Sequence, residues 1–339
     1  MTTSGAPVEP THEPEITEPV DLCRADGRLN RAAVGWSRYP LHRANLRGRG
    51  RAKRWEYVCV TAPTHALAVT VSDLDYAALH AVWFLAPDRT ETAASALVPL
   101  QRVALPDRSG GGPVSVRTKA LAVDLLPDAT GVTLRARTAD LDAEVRVDRP
   151  PGHEALGVVV PWSDRLFQYT VKENTLPASG VVTAGGVRHA FGPGSWATLD
   201  HGRGRWPYRV TWNWGAGSGA LAGRVVGLQV GGRWTDGTGS TENALCLDGR
   251  LHKLGEDLVW SYDRTDWTRP WRVTAPRTAR ADLTFTPYHV RTDRTELGLL
   301  GNDTHQAFGH WSGTVVADDG ERVAVDGLHG WAEEVRNRW

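Results

Sequence analysis

The sequence predicts an all-β protein of two antiparallel, barrel-like domains in tandem. Three observations predict it: short β-branched runs in which apolar and polar residues alternate, Gly, Pro and Asp turns soon after each run, and a pattern common to the two halves. At 339 residues the chain is long enough for two medium domains, each with a core of its own.

Residues 1–20 are rich in Pro, Glu and Thr and read as a disordered tail. Asp21–Arg54 carries many arginines and little periodicity, the texture of an irregular strap. From Trp55 the runs 56–61, 67–71, 81–85, 114–118, 121–125, 132–136 and 143–147 follow at short spacing, the rhythm of a meander or barrel. Arg149-Pro-Pro-Gly152 punctuates the chain and divides it into domains 21–150 and 151–339. A second series includes 158–160, 168–172, 180–184, 208–212, 224–230, 244–247, 258–262, 282–286, 309–316 and 321–326. The closing segment Gly327–Trp339 reads as a short helix. Val114–Leu125 and Val273–Leu283 share an Arg-Thr turn followed by an alanine-rich run ending in Asp-Leu, as duplicated barrels would. Two eight-to-ten-stranded, lipocalin-like barrels or half-barrels account for the strand count.

Composition narrows the function. Lysine plus arginine equals aspartate plus glutamate, 39 each, so neither a nucleic-acid surface nor an anionic membrane is favoured as a partner. Cys23, Cys59 and Cys246 are too few and too scattered for a disulfide framework or a zinc cage. No apolar run has membrane-spanning length, and the first residues lack a signal-peptide pattern, so a cytoplasmic protein is expected. Nothing in the composition sets an oligomeric state.

Tryptophan is the anomaly: of 15, 12 lie from Trp162 onward. The stretch Ser195–Trp214 sets Asp200, His201, Arg203 and Arg205 among Trp196, Trp206, Tyr208, Trp212 and Trp214. Ionisable groups walled by indoles suit a site that holds an apolar ligand and acts on it. Trp212 and Trp214 alternate on one strand and share a face, with Asn213 on the other. They form either an aromatic wall or plain core. Arg203 either meets an anionic group of the ligand or pairs internally with Asp200 and Glu242.

Thr241-Glu242-Asn243 closes a glycine-rich turn and places a carboxyl, with Asn243 beside it, before a strand. Gly215–Gly223 lacks the spacing of a dinucleotide fingerprint and reads as a flexible hairpin or barrel-rim loop. His305 and His310 stand near Asp303, but their spacing is no metal geometry, so no metal is expected. Gln306 and His310 are instead polar pocket candidates. There is no nucleophile elbow, no phosphate loop and no cysteine cluster.

The run Gly180–His201, a Gly-strand-Gly-strand-Gly-aromatic pattern ending in Asp-His, resembles the superfamily of carotenoid hydratases, hydroxyneurosporene synthase and lipocalin-like pericyclases. A wider resemblance is to the bacterial domain of unknown function 2804 family. It covers the chain after about residue 30, through Asp-x-Gly-Arg-Gly-x-Trp-Pro-Tyr at 200–208, Trp-Asn-Trp-Gly at 212–215, Thr-Glu-Asn at 241–243 and His-Gln-x-Phe-Gly at 305–309. In the hydratases the resemblance implies an aspartic acid that protonates an alkene, flanked by histidine and tryptophan, with water capturing the cation. Asp200 and His201 match, but Arg203 stands where the tryptophan belongs, and the Tyr-x-Asp of the next strand is missing from Val225–Trp234. Glu242 is the substitute acid. Alkene protonation needs a carboxyl kept neutral by burial, and the cation needs indole faces, for which Trp206, Trp212, Trp214 and Trp234 are the candidates.

Two functions follow. One is a cofactor-independent enzyme that hydrates, isomerises or cyclises a hydrophobic isoprenoid- or polyketide-like molecule by acid catalysis, with Glu242, Asp200 and His201 catalytic. The other is a carrier of a lipid or hydrophobic metabolite that performs no chemistry.

Overall fold

The computed structural model describes residues 12–48 and 50–339. The chain divides into two compact units. The first comprises Ile16–Ala33 and Ser37–Trp206; the second comprises Pro207–Trp339, Val34–Trp36 and the described residues up to Glu15. Apart from one 3-10 turn at Arg31–Ala33, the described elements are strands, so the all-β expectation holds.

The strap carries the two-residue strands β1 (Val20–Asp21), β2 (Trp36–Ser37) and β3 (His42–Arg43). The strands of the first sheet are β4 (Ala52–Thr61), β5 (Ala66–Asp73), β6 (Ala77–Leu85), β7 (Glu91–Pro99), β8 (Val114–Arg117), β9 (Leu121–Asp128), β10 (Gly131–Thr138), β11 (Leu141–Asp148), β12 (Leu156–Pro161), β13 (Phe167–Ala184), β14 (Val187–Phe191) and β15 (Trp196–Arg205). Their order is β7-β6-β5-β4-β15-β13-β11-β10-β9-β8, with β12 and β14 also on β13. The first half of β13 pairs with β12 and β15, and its second half pairs with β11 and β14. Its register shifts between Glu173 and Leu176, where Thr175 has φ 58°. Such a bulge bends a strand and increases its twist, which curls the sheet. The two wings then meet in one apolar core, with Val58, Val60 and Val69 against Val123, Leu134 and Val145.

In the second unit the strands are β16 (Arg209–Leu221), β17 (Arg224–Gly232), β18 (Asn243–Leu247), β19 (Arg250–Leu254), β20 (Val259–Ser261), β21 (Trp271–Thr274), β22 (Ala281–Leu297), β23 (Leu300–Val316), β24 (Arg322–Ala324) and β25 (Leu328–Arg338). Their order is β19-β18-β17-β16-β25-β23-β22-β21-β20, with β24 on β23. Leu228, Val230, Leu245, Trp271, Phe285 and Trp311 fill its core.

Four local expectations change. The break at Arg149–Gly152 falls inside the first sheet, because β11 before it and β13 after it are hydrogen-bonded neighbours. A Pro-Gly signal ends a strand but says nothing about which sheet the next strand joins. Gly327–Trp339 forms no helix but β25, paired on one side with β16 and on the other with β23. Gly215–Gly223 is the hairpin of the two readings but no flexible loop: β16 runs through it to Leu221 and turns at Ala222–Gly223 into β17, and side chains at Gly215 and Gly217 would run into Trp311. Of the expected tail, residues 1–11 lie outside the described residues, while Glu13 is buried.

Candidate active site

The structure divides the sequence-predicted residues between the units. Asp200, His201, Arg203 and Trp206 belong to the first, and the rest belong to the second.

The Asp-His segment is the central strand β15, flanked by β4 and β13. Its Gly-Arg-Gly pattern makes room for neighbours. A side chain at Gly202 would collide with the Trp55 ring, and one at Gly204 with Gln168. Asp200 projects to the same side as Trp55, whose Nε1 donates to its Oδ2 at 2.8 Å. Thr170 Oγ1 donates to Oδ1 at 2.7 Å, and Lys172 Nζ sits 3.0 Å from Oδ2. Trp206 is buried beside Trp162 and Trp55 (ring centroids 5.0 and 5.8 Å), and its Nε1 donates to Gln168 at 2.7 Å.

His201 and Arg203 point to the other side of β15, toward the core. His201 Nδ1 lies 2.9 Å from Glu56 Oε1. Arg203 is fully buried; it bonds Glu56 and donates to the carbonyls of Trp55 at 2.7 Å and Pro106 at 2.8 Å. The expected pairing of Arg203 with Asp200 and Glu242 is therefore replaced by Glu56 and backbone oxygens. Burial, then the Arg203 cation, pushes His201 below the ordinary imidazole value. Burial works to raise Glu56, but His201 and Arg203 hold its carboxyl below the usual range. The neutral His201 ring gives its Nδ1 proton to Glu56, because a carboxylate only accepts. Its Nε2 is buried without a hydrogen-bond partner among the described residues.

In the second unit, register aligns the remaining candidates. Gly231 of β17 lies opposite Trp214 of β16, Trp214 opposite Glu333 of β25, and Glu333 opposite Gln306 of β23. Directly opposed residues project to one side of a sheet, so this is a single row. Glu242, just before β18, reaches the same row, since a side chain at Gly231 would run into its carboxyl. Trp234 Nε1 donates to Glu242 Oε1 at 2.6 Å. Trp212 Nε1 donates to Glu333 Oε1 at 3.0 Å and Gln306 Nε2 to Glu333 Oε2 at 2.9 Å. Trp214 donates to Gln229 at 2.9 Å and meets the Trp331 ring edge-on at 5.1 Å. The row is buried: Glu242 is 2% exposed and Glu333 7%. Two strand spacings, roughly 10 Å, separate Gly231 from Glu333, and the Trp214 indole stands between.

Three candidates stand apart from this row. Asn213 projects to the core side and donates to Tyr262 at 2.9 Å and to the Glu333 carbonyl at 3.1 Å. Asn243 ties the turn together, accepting from Gly231 N at 2.6 Å and donating to Glu256 O at 3.0 Å. His310 is exposed and lies among the rings of Tyr288 and His329. Trp212 and Trp214 do share a face, but it is the one opposite the apolar core, so the expected aromatic wall facing a barrel interior is not what β16 builds. Among the described residues no His, Cys, Asp and Glu group is arranged to hold a metal, and the three cysteines are buried free thiols.

A family model described as "Domain of unknown function (DUF2804)" matches residues 13–339. The chain belongs to this family. A search of curated proteins gives no match. Among solved structures, that of CghA with Sch210972 is similar over 85% of this chain and 88% of its own, at 15% identity and a TM-score of 0.56. Kievitone hydratase from Nectria haematococca is similar over 86% and 89%, at 10% identity and a TM-score of 0.50. At these identities the likeness is one of fold, and it makes the two curled sheets a tandem lipocalin-like pair. No helix among the described residues is long and apolar enough to cross a membrane.

Sequence reading missed Glu333 in this DUF2804 chain, because Glu333-Glu334 falls in the segment read as a helix. A period-2 reading of 328–338 separates the two: Glu333 shares a face with Trp331, while Glu334 turns to Tyr262, Arg264 and Arg336.

Proposed function

We propose that this protein is an enzyme that moves protons to and from carbon in an unsaturated hydrophobic molecule, and so hydrates, isomerises or cyclises it. One observation carries the reading: two buried carboxyl groups, Glu242 and Glu333, stand in one register row on either side of the Trp214 indole, each bound by an indole N–H. Glu242 is the acid that gives its proton to an alkene carbon. The resulting cation lies against Trp212 and Trp214, each ring contributing about 1–2 kcal/mol if desolvated. In hydration, water adds to the cation and its surplus proton passes to Glu333; in isomerisation Glu333 takes a proton from the neighbouring carbon. Glu333 releases its proton to solvent, and solvent reprotonates Glu242 and closes the cycle. Asp200, engaged by Lys172, Trp55 and Thr170, is assigned to holding β15, and His201 with Glu56 to the interior of the first unit. The likeness in fold to a protein named as a hydratase supports the hydration branch.

The carrier reading has its own support, since both oxygens of Glu333 already accept hydrogen bonds. Deuterium separates the two. Native mass spectrometry of the purified protein identifies a co-purifying unsaturated ligand, or polyprenyl alkenes are supplied. Incubation in D2O then places deuterium on ligand carbon with the wild-type protein and not with Glu242→Gln, while affinity is retained. Equal incorporation with and without protein leaves only the carrier.

A further inference from the structure

The turn that presents Glu242 is knit within itself, with Arg233 N donating to Asp236 Oδ1 at 2.8 Å and Thr238 Oγ1 to Thr235 O at 2.6 Å, but Thr241 at its end is held from outside. Between Gly232 and Asn243 it contains Gly237 (φ 71°) and Gly239 (φ 77°), which have no side chains to pack. Its clamp comes from the far end of the sequence. Glu13 is 2% exposed, and its Oε1 accepts from Thr241 N at 2.9 Å and from Thr241 Oγ1 at 3.2 Å. Lys253 Nζ on β19 is 2.6 Å from the same oxygen and also donates to Thr241 Oγ1 at 2.6 Å. His12 Nδ1 meets the Gly239 carbonyl at 2.7 Å. The segment carrying Glu13 is itself anchored, because Trp36 N donates to Pro14 O at 3.0 Å and Glu15 bridges Trp36. Thr241, the residue clamped, immediately precedes Glu242.

We infer that Glu13 is a positioning residue: through Thr241 it sets where the Glu242 carboxyl and the Trp234 indole N–H meet. The inference rests on the proposed function only for its catalytic consequence; the geometric consequence stands without it. Burial works to raise the Glu13 carboxyl, and the Lys253 ammonium overrides it, so Glu13 is the anion that Lys253 and the Thr241 N–H require, while Thr241 Oγ1 also has the Leu254 carbonyl at 2.9 Å as an acceptor. An ion pair this buried is costly to break on one side, because the survivor keeps its charge without a partner. The turn therefore has one low-energy seat, and a one-ångström drift of a catalytic group is enough to lower a rate strongly.

The test uses the full chain. The Trp234 indole ¹H–¹⁵N resonance reports its hydrogen bond to Glu242. In Glu13→Ala we expect that resonance to move upfield while those of Trp271 and Trp311, in the core, stay in place. Turnover should fall roughly tenfold or more through kcat, with KM nearly unchanged. Should Glu13→Ala fail to fold, Glu13→Gln combined with Lys253→Met removes both charges together and is read by the same resonance. A folded variant of either kind whose Trp234 resonance keeps its wild-type position overturns the inference. That outcome is separate from a failure of the proposed function, which Glu242→Gln with unchanged turnover would reveal even if the resonance moves.

Discussion

Around β15 of the first unit the carboxylates face cations, Asp200 of β15 facing Lys172 and Glu56 of β4 facing Arg203. On the β16–β25 face of the second unit Glu242 and Glu333 are gripped by indole and amide N–H groups. The difference teaches how to sort buried acids. A cation beside a carboxylate favours its charged form, as at Glu56, which His201 and Arg203 hold below the usual range. The glycines follow the same division. Gly202 makes room for a ring that completes a structural cluster; Gly231 makes room for a carboxyl that reaches the candidate site.

The largest expected effect breaks the structural side. Arg203→Met leaves Glu56 uncompensated and should cost about 3–5 kcal/mol in chemical denaturation. A loss below about 1 kcal/mol means the cluster is not structural. Next, Glu242→Gln should reduce turnover about 100-fold with stability nearly kept. Asp200→Asn should instead cost about 1–3 kcal/mol of stability and less activity than Glu242→Gln. A reversed ranking of the two in parallel kinetics and melts would exchange their roles.

Gly231→Ala and Gly202→Ala sharpen the contrast at about 1–3 kcal/mol each from overpacking. The first should also lower turnover by displacing Glu242, whereas the second should appear as a change in Trp55 fluorescence. Smallest per group is a pH effect in the first unit. His42, His65, His80, His153 and His201 are each pushed by burial below the ordinary value of 6.5. Above pH 6.5 both folded and unfolded rings are neutral, and these groups add no slope. Below it the unfolded ring takes a proton that the folded ring refuses, so stability falls as pH drops through the folded values. The slope is at most about 1.4 kcal/mol per pH unit for each histidine. Amide hydrogen exchange at pH 7.5 and 5.5 should show the first unit loosening; equal protection at both values refutes it.

Much of this was legible beforehand, for physical reasons. Alternating β-branched runs announce half-buried strands, and most of the expected runs lie inside observed ones. Edge strand β7 escaped because its alternation runs only from exposed to half-buried, and β15 because Gly202 and Gly204 mimic a loop. The shared side of Trp212 and Trp214 is pure local geometry. What the sequence settled alone, then, was fold class, strand periodicity and the aromatic side of β16. Three things waited for the tertiary structure: which strands adjoin across Arg149–Gly152, which cation answers Asp200, and that Glu333 stands opposite Trp214. Each depends on contacts between residues distant in the chain, and local propensity carries no information about which distant partner a strand or a charge will meet.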